Sequence, residues 1–280
     1  MVDTREYVAA LDETFQSLID VAESLGDDDW PRPTGCPGWT VQDTLAHVVA
    51  LESALVGDPP VEHELTEFPP YVRDEFGRFM EVGVDARRGL APDKLLAEMH
   101  DVLGRRRAQL AGLDDTALEG ETSGPTGSTG AYRRVLRIRL FDVWAHEQDI
   151  RRATRRAGHL TGRTPHLVLE TIFFQLGRTL GKAAPAPSGT TLDVVITDPE
   201  PMRRRLSYGD DAAVTVSEAA ESGEDADAGE ATATITTDLS SFTALACGRA
   251  DAPTFDSSAL HISGDRDLVA RVLPALGITP

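Results

Sequence analysis

The chain has 280 residues, with 27 Lys+Arg against 46 Asp+Glu and a formal net charge of −19. Such acidity excludes a protein that tracks nucleic-acid phosphates or lies on anionic lipid, since both need a basic face. Hydrophobic residues at 41% and charged residues at 26% describe a folded chain, long enough for two domains or one large one.

The N-terminus MVDTREYVAALDETF is charged and amphipathic, without the apolar core of a signal peptide. No apolar run reaches the roughly 18 residues of a membrane span, so a cytoplasmic protein with no membrane partner is expected. Over 3–25, Tyr7, Leu11, Phe15, Leu18, Ile19 and Ala22 recur at threes and fours, which predicts an amphipathic helix ending at Gly26 and Asp27–Asp29. Pro31 to Trp39 is too rich in Pro and Gly to be helical. Thr40 reads as an N-cap with Asp43 as its capping-box partner, opening a helix over 41–56. A proline-rich loop over 58–70 precedes helices over 71–88 and 92–111, the latter with Pro92 in its first turn. Residues 123–130 form a Ser/Gly/Thr connector. A long helix over 131–157, closed by Gly158, and a shorter one over 166–180 complete a helical bundle.

The texture changes after Pro185–Gly189. Alternating, β-branched runs over 191–197, 213–216 and 231–236 read as strands, with the acidic segment 218–230 as a solvated hairpin loop. A helix over 239–247, a strand over 259–263 and a helix over 266–276 finish an α+β unit. The fold class is therefore α plus α+β, with a helical bundle over 1–184 and a smaller α+β domain over 190–280.

Cys36 and Cys247 form no CxxC pair, so any metal must be held by His, Asp or Glu. Asp142 and His146 lie four residues apart, on one face of the long helix, and Asp149 continues that face. His47 falls among Leu45, Val48, Val49 and Leu51 on the second helix. A histidine from one helix with an acid and a histidine from another is how bundles build metal sites, and three ligands leave a position open for water or substrate. The same spacing also fits a hydrogen-bonded core His47 and a surface Asp142/His146 pair. Glu147 should point about 100° away from the ligand face. Cys36 reads as a small packed residue, Asp27–Asp29 as a solvated face, and His63, His100, His159, His166 and His261 as structural or exposed.

Cys36-Pro37-Gly38-Trp39-Thr40-Val41-Gln42-Asp43, followed by Leu45-Ala46-His47-Val48, resembles the N-terminal signature of the mycothiol-dependent maleylpyruvate isomerase family. Phe141-Asp142-Val143-Trp144-Ala145-His146-Glu147-Gln148-Asp149 resembles that family's later helix, and both motifs come in the family's order. The last ninety residues resemble the family's C-terminal domain, similar to sterol carriers, through Leu245-Ala246-Cys247-Gly248-Arg249 and Ile262-Ser263-Gly264-Asp265. The resemblance implies a DinB-like four-helix bundle in which His47, Asp142 and His146 ligate a divalent metal, zinc first, with Ni2+, Fe2+ or Mn2+ as alternatives. The family's founding isomerase has a glutamate where Asp142 stands, so the cation would sit nearer the helix backbone or reach it through a water. Asp149 is expected to orient a ligand imidazole or pair with Arg151 or Arg152. Trp39 is expected to pack the loop or meet the thiol cosubstrate, and Arg249 to sit at a helix end or, by the resemblance, to contact an anion.

The function so implied is a metal-dependent enzyme, monomer or homodimer, with mycothiol as cosubstrate. Its thiolate would add to a small electrophile, ending in isomerisation or S-transfer. A hydrolase with Glu147 or Asp149 as general base, and a non-catalytic small-molecule binding protein, are the other classes the residues allow.

Overall fold

The computed structural model describes residues 3–125, 127–218, 229–251, 255 and 257–279. These form two compact units, Met1–His159 with Arg163–Val168, and Leu160–Gly162 with Leu169–Pro280. Among the described residues, no helix is long and apolar enough to cross a membrane.

The first unit is built on α1 (Thr4–Glu23), α2 (Val41–Leu55), α3 (Glu75–Arg88), α4 (Pro92–Ala111) and α6 (Tyr132–Thr154), with a short α5 (Asp115–Glu119). Helix α1 packs on α4 and α6, and α2 on α3, α4 and α6, so α1, α2, α4 and α6 make a four-helix bundle with α3 laid against α2. The apolar stripes read from the sequence face inward. Leu11, Phe15 and Leu18 meet the interior with Leu45, Leu95, Met99, Leu103, Leu136, Leu140 and Trp144, all at most 1% exposed. Each such side chain contributes roughly 1.5–3 kcal/mol on leaving water.

Helix boundaries follow local chemistry. Thr40 and Asp43 form the expected capping box at the head of α2. The helix expected over 71–88 starts instead at Glu75, because the Asp74 side chain accepts from Gly77 N and caps it there. The long helix stops at Thr154 rather than near Gly158, since Arg155 takes the left-handed conformation (φ 57°) and closes it. The connector over 123–130 contains a small antiparallel hairpin, β1 (Glu121–Ser123) with β2 (Thr129–Ala131), too short for alternation to announce.

One buried ionic group ties three of the bundle helices. Glu52 of α2 is fully buried, accepting from Arg106 Nε of α4 at 3.1 Å and from Arg139 Nε of α6 at 2.8 Å. Both guanidiniums are almost wholly shielded from solvent, so their charge is answered within the protein.

The second unit carries the remainder of α7 (Arg163–Ala183), and the division therefore falls within that helix, earlier than the expected boundary near 185. The reason is close packing by small residues. A Cβ on Gly177 would lie 3.3 Å from Val214 O, and one on Gly181 only 2.0 Å from Ala212 O. The sheet has the order β5-β4-β3-β6-β7, formed by β3 (Thr191–Ile196), β4 (Met202–Tyr208), β5 (Val214–Glu218), β6 (Ala233–Thr237) and β7 (His261–Gly264). The β3/β6 pair is parallel and the others antiparallel. Helices α8 (Leu239–Ala246) and α9 (Arg266–Val272) complete the unit.

Strand β4 had no counterpart in the sequence reading, because Arg203, Arg204 and Arg205 erase its alternation. The fold neutralises them instead. Asp193 of β3, fully buried, accepts from Arg203 Nε at 2.9 Å and Arg205 Nε at 2.7 Å, and Arg204 meets Glu170 at 3.0 Å. With β4 beside β3, β5 takes the sheet edge while β6 pairs with β3 and β7, so the expected hairpin between β5 and β6 does not form. Residues 219–228 of its expected loop lie outside the described residues.

Two variants test this packing. Gly181→Ala is expected to lose about 1–3 kcal/mol of stability by overpacking against Ala212, read as a lower urea midpoint. Glu52→Ala leaves two buried guanidiniums uncompensated and should cost about 3–5 kcal/mol by the same measurement; a loss under 1 kcal/mol would sink the argument.

Candidate metal centre

Helix α2 delivers His47, and α6 delivers Asp142, His146 and Asp149. His47 Nε2 lies 3.4 Å from Asp142 Oδ2, and His146 Nε2 lies 3.7 Å from Asp142 Oδ1. One donor atom from each of these three side chains falls within 4.8 Å of the others, close enough for a shared cation. His146 is 8% exposed and the Asp142 side chain 26%, so this acid–histidine pair is partly buried rather than a surface pair.

His47 is the unusual member. Among the described residues, neither of its ring nitrogens has a partner at ordinary hydrogen-bond geometry, although both are buried. The contact of Nε2 with Asp142 at 3.4 Å is long for a hydrogen bond, and buried polar atoms left this way cost roughly 1–3 kcal/mol unless something else engages them. Burial lowers the His47 pKa, outweighing the attraction of Asp142, so the imidazole is neutral and offers a lone pair. Burial works against the Asp142 charge, but Arg139, at 2.9 Å, and the two imidazoles outweigh it and hold the carboxyl well below the usual range. A neutral imidazole and an ionised carboxylate are the protonation states in which these groups bind divalent cations.

His146 faces two ways. Its Nε2 looks toward Asp142, while Nδ1 lies 3.4 Å from Asp149 Oδ2. Asp149, fully buried, also accepts from Arg152 Nη2 at 2.8 Å, the arginine pairing weighed for it from the sequence. The Cys36 thiol donates to Asp149 Oδ2 at 3.1 Å and lies 3.6 Å from His146 Nδ1. The reading of Cys36 as a packed residue missed this contact, which only the loop's path creates. Cys36, His146 and Asp149 are a second trio close enough to share a cation.

The loop 33–40 is a closed turn. Thr34 N donates to Trp39 O at 2.9 Å, and Trp39 N to Cys36 O at 3.1 Å. Gly38 has φ 76° and lies against Tyr71, whose ring a Cβ would meet at 2.1 Å, so any other residue is strained there. Trp39 packs its ring over the site, with centroids 4.9 Å from His47 and 5.9 Å from His146. Its indole N–H donates to buried Glu81 of α3 at 3.0 Å, and Tyr71 donates to the other Glu81 oxygen at 2.9 Å. Burial and then Glu81 push the Tyr71 phenol up to about 12, which keeps it a donor.

Other expectations are corrected or located. Glu147 does point away from the cluster, and it is enclosed by Ser17 at 2.6 Å, Arg151 at 2.6 Å and His159 at 2.7 Å. So enclosed, it has no free oxygen with which to act as a general base. Three of the histidines read as structural or exposed have carboxylate partners: His159 with Glu147, His63 with Asp85 at 2.7 Å, and His100 with Glu23 at 3.0 Å. Asp29 is buried rather than solvated, pairing with Arg156 at 2.8 Å and Arg32 at 3.0 Å. Arg249 belongs to the second unit, where it follows Gly248 (φ 70°) at the end of α8 and donates to Cys247 O. That unit also has a cleft of about 450 Å³ lined by Phe173, Phe174, Val214, Val216 and Arg204.

Comparison with known proteins follows the same lines. Two solved structures, of the mycothiol-dependent maleylpyruvate isomerase and of a histidine-to-alanine mutant of it, share the fold. The mutant structure has a TM-score of 0.58 at 16% identity, covering 94% of this chain and 93% of that one. The other has a TM-score of 0.57 at 17% identity, with the same coverage. Uncharacterized proteins from two strains of Mycobacterium tuberculosis are 25% identical over 174 residues, 59% of this chain. The match spans 66% of those relatives' length. The family model described as the mycothiol maleylpyruvate isomerase N-terminal domain matches residues 11–151, half of the chain and the stretch that holds His47, Asp142 and His146, and the chain belongs to that family.

Proposed function

We propose that the protein is a metal-dependent enzyme that uses a low-molecular-weight thiol, mycothiol, to attack a small electrophile. The observation that carries the reading is the convergence of His47, Asp142 and His146, whose donor atoms lie within 4.8 Å of one another, with both His47 nitrogens buried and, among the described residues, without a partner at ordinary hydrogen-bond geometry. Those three residues would hold the cation. When bound, it would supply Lewis acidity and favour the ionised form of a thiol at neutral pH, where a free thiol with a pKa near ~8.5 is largely protonated.

The chain's own residues supply the rest. Asp142, kept ionised by Arg139, brings one negative charge to the donor set. Asp149 lies 3.4 Å from His146 Nδ1, where it would hold the ring with Nε2 toward Asp142. Trp39 lies over both imidazoles and keeps bulk water from that side. In this setting the thiol sulfur forms a bond to an electrophilic carbon. If the adduct rotates and expels the sulfur, the outcome is cis–trans isomerisation; if the sulfur stays, it is S-conjugation. Membership of the family supports mycothiol as the thiol. The enclosure of Glu147 and the engagement of Asp149 by Arg152 speak against hydrolysis with either as general base.

Purified protein is expected to contain about one equivalent of a divalent metal, zinc first, and His146→Ala to lose it while keeping its helical circular dichroism. Metal-loaded protein should consume mycothiol when given a conjugated or activated electrophile. A folded wild-type chain that takes up no metal would falsify the proposal. Removal of the metal by a chelator should abolish thiol consumption, and readdition restore it.

A further inference from the structure

We infer that Cys36 is a positioning residue for the cation site, holding Asp149 and the His146 imidazole in the orientation that presents Nε2 to Asp142 and His47. The inference rests on the metal reading above and adds a residue to it.

The argument starts from the loop. Cys36 is 7% exposed, and its backbone is fixed on both sides: its N–H donates to Thr34 Oγ1 at 3.3 Å, and its C=O accepts from Trp39 N at 3.1 Å. The side chain therefore has little freedom to leave the carboxylate it meets. That carboxylate is itself held at both oxygens. Arg152 donates to Oδ1 at 2.8 Å, and the thiol donates to Oδ2 at 3.1 Å. Oδ2 is also the oxygen 3.4 Å from His146 Nδ1.

Two donors clamp the acceptor, and a proton on His146 Nδ1 would face both that carboxylate, at 3.4 Å, and the Cys36 sulfur, at 3.6 Å, so the inference assigns the Nδ1–H tautomer. The other ring nitrogen is then the one with a lone pair, and it is the one nearest Asp142. In that tautomer His146 cannot also use Nδ1 to ligate, so the inference makes the Cys36–His146–Asp149 trio a support of the first site and not a second seat. The same loop carries Trp39 over the two imidazoles, so one turn of chain controls both the cover and the orientation of the ligand.

The test uses the full chain with cobalt(II) as the probe, comparing wild type, Cys36→Ala, Cys36→Ser and Asp149→Asn. Cys36→Ala is expected to weaken cobalt binding by about tenfold, the lower end for outer partners of a ligand. Cys36→Ser, whose hydroxyl still donates, should stay near wild type. Nitrogen-15 shifts of His146 in metal-free protein should report the Nδ1–H tautomer in wild type and Cys36→Ser. A mixture of tautomers is expected in Cys36→Ala and Asp149→Asn. A role in packing alone would not separate serine from alanine in this readout. Equal cobalt affinity and an equal tautomer in Cys36→Ala and wild type overturn the inference while leaving the metal reading intact. A thiolate-to-cobalt charge-transfer band that vanishes in Cys36→Ser also overturns it, because Cys36 would then be a ligand. A wild-type chain that ignores cobalt overturns the metal reading and this inference together.

Discussion

A partly buried carboxylate set between two imidazoles needs a counter-charge, and Arg139 supplies it. Its guanidinium meets Asp142 on one side and Glu52 on the other, and Glu52 in turn meets Arg106. Two acids and two bases alternate through the bundle interior and sum to no net charge before any cation is present. Ion pairs so deep in a protein gain little over apolar packing, because the desolvation cost offsets the attraction. Their value here is positional. They register α2, α4 and α6 against one another and keep Asp142 ionised at the point where His47 and His146 converge.

The closed turn at 33–40 adds the other wall. Its sequence is small and constrained, and each constraint has a physical reason. Gly38 suits its position because its φ of 76° strains any other residue and a Cβ would have to displace the Tyr71 ring. Thr40 ends the turn by capping α2, which fixes the phase of that helix and hence where His47 points. Trp39 is held by a hydrogen bond to Glu81 rather than by packing alone, and Tyr71 shares that acceptor. The segment 58–74, without regular structure, is thereby tethered beside the same turn that covers the histidines.

The second unit shows how charge can replace alternation as the organising feature of a strand. Strand β4 carries three consecutive arginines, and a single buried aspartate on β3 accepts from two of them. That exchange inserts β4 next to β3 and separates two strands that neighbour one another in sequence. Close approach of α7 depends on Gly177 and Gly181, which face the backbone of the β5 segment.

Most helices were legible in the sequence, because an amphipathic stripe and a cap are local signals: α1, α2 and α4 need only their own residues to be read. The pairing of His47 with Asp142 and His146 was half legible. Helical spacing puts Asp142 and His146 on one face, but the approach of His47 from another helix was only one of two readings the spacing allowed until the resemblance singled it out. Cys36 and Glu81 could not be read at all, since their partners lie 113 and 42 residues away. Strand β4 was hidden because the residue that neutralises its arginines sits on a different strand. By itself, then, the chain's order of residues determined where helices start, which faces are apolar and which donors share a turn. Tertiary structure alone decided which buried charges meet, which nitrogens stay without a partner and which loop covers the site, because those depend on contacts between segments far apart along the chain.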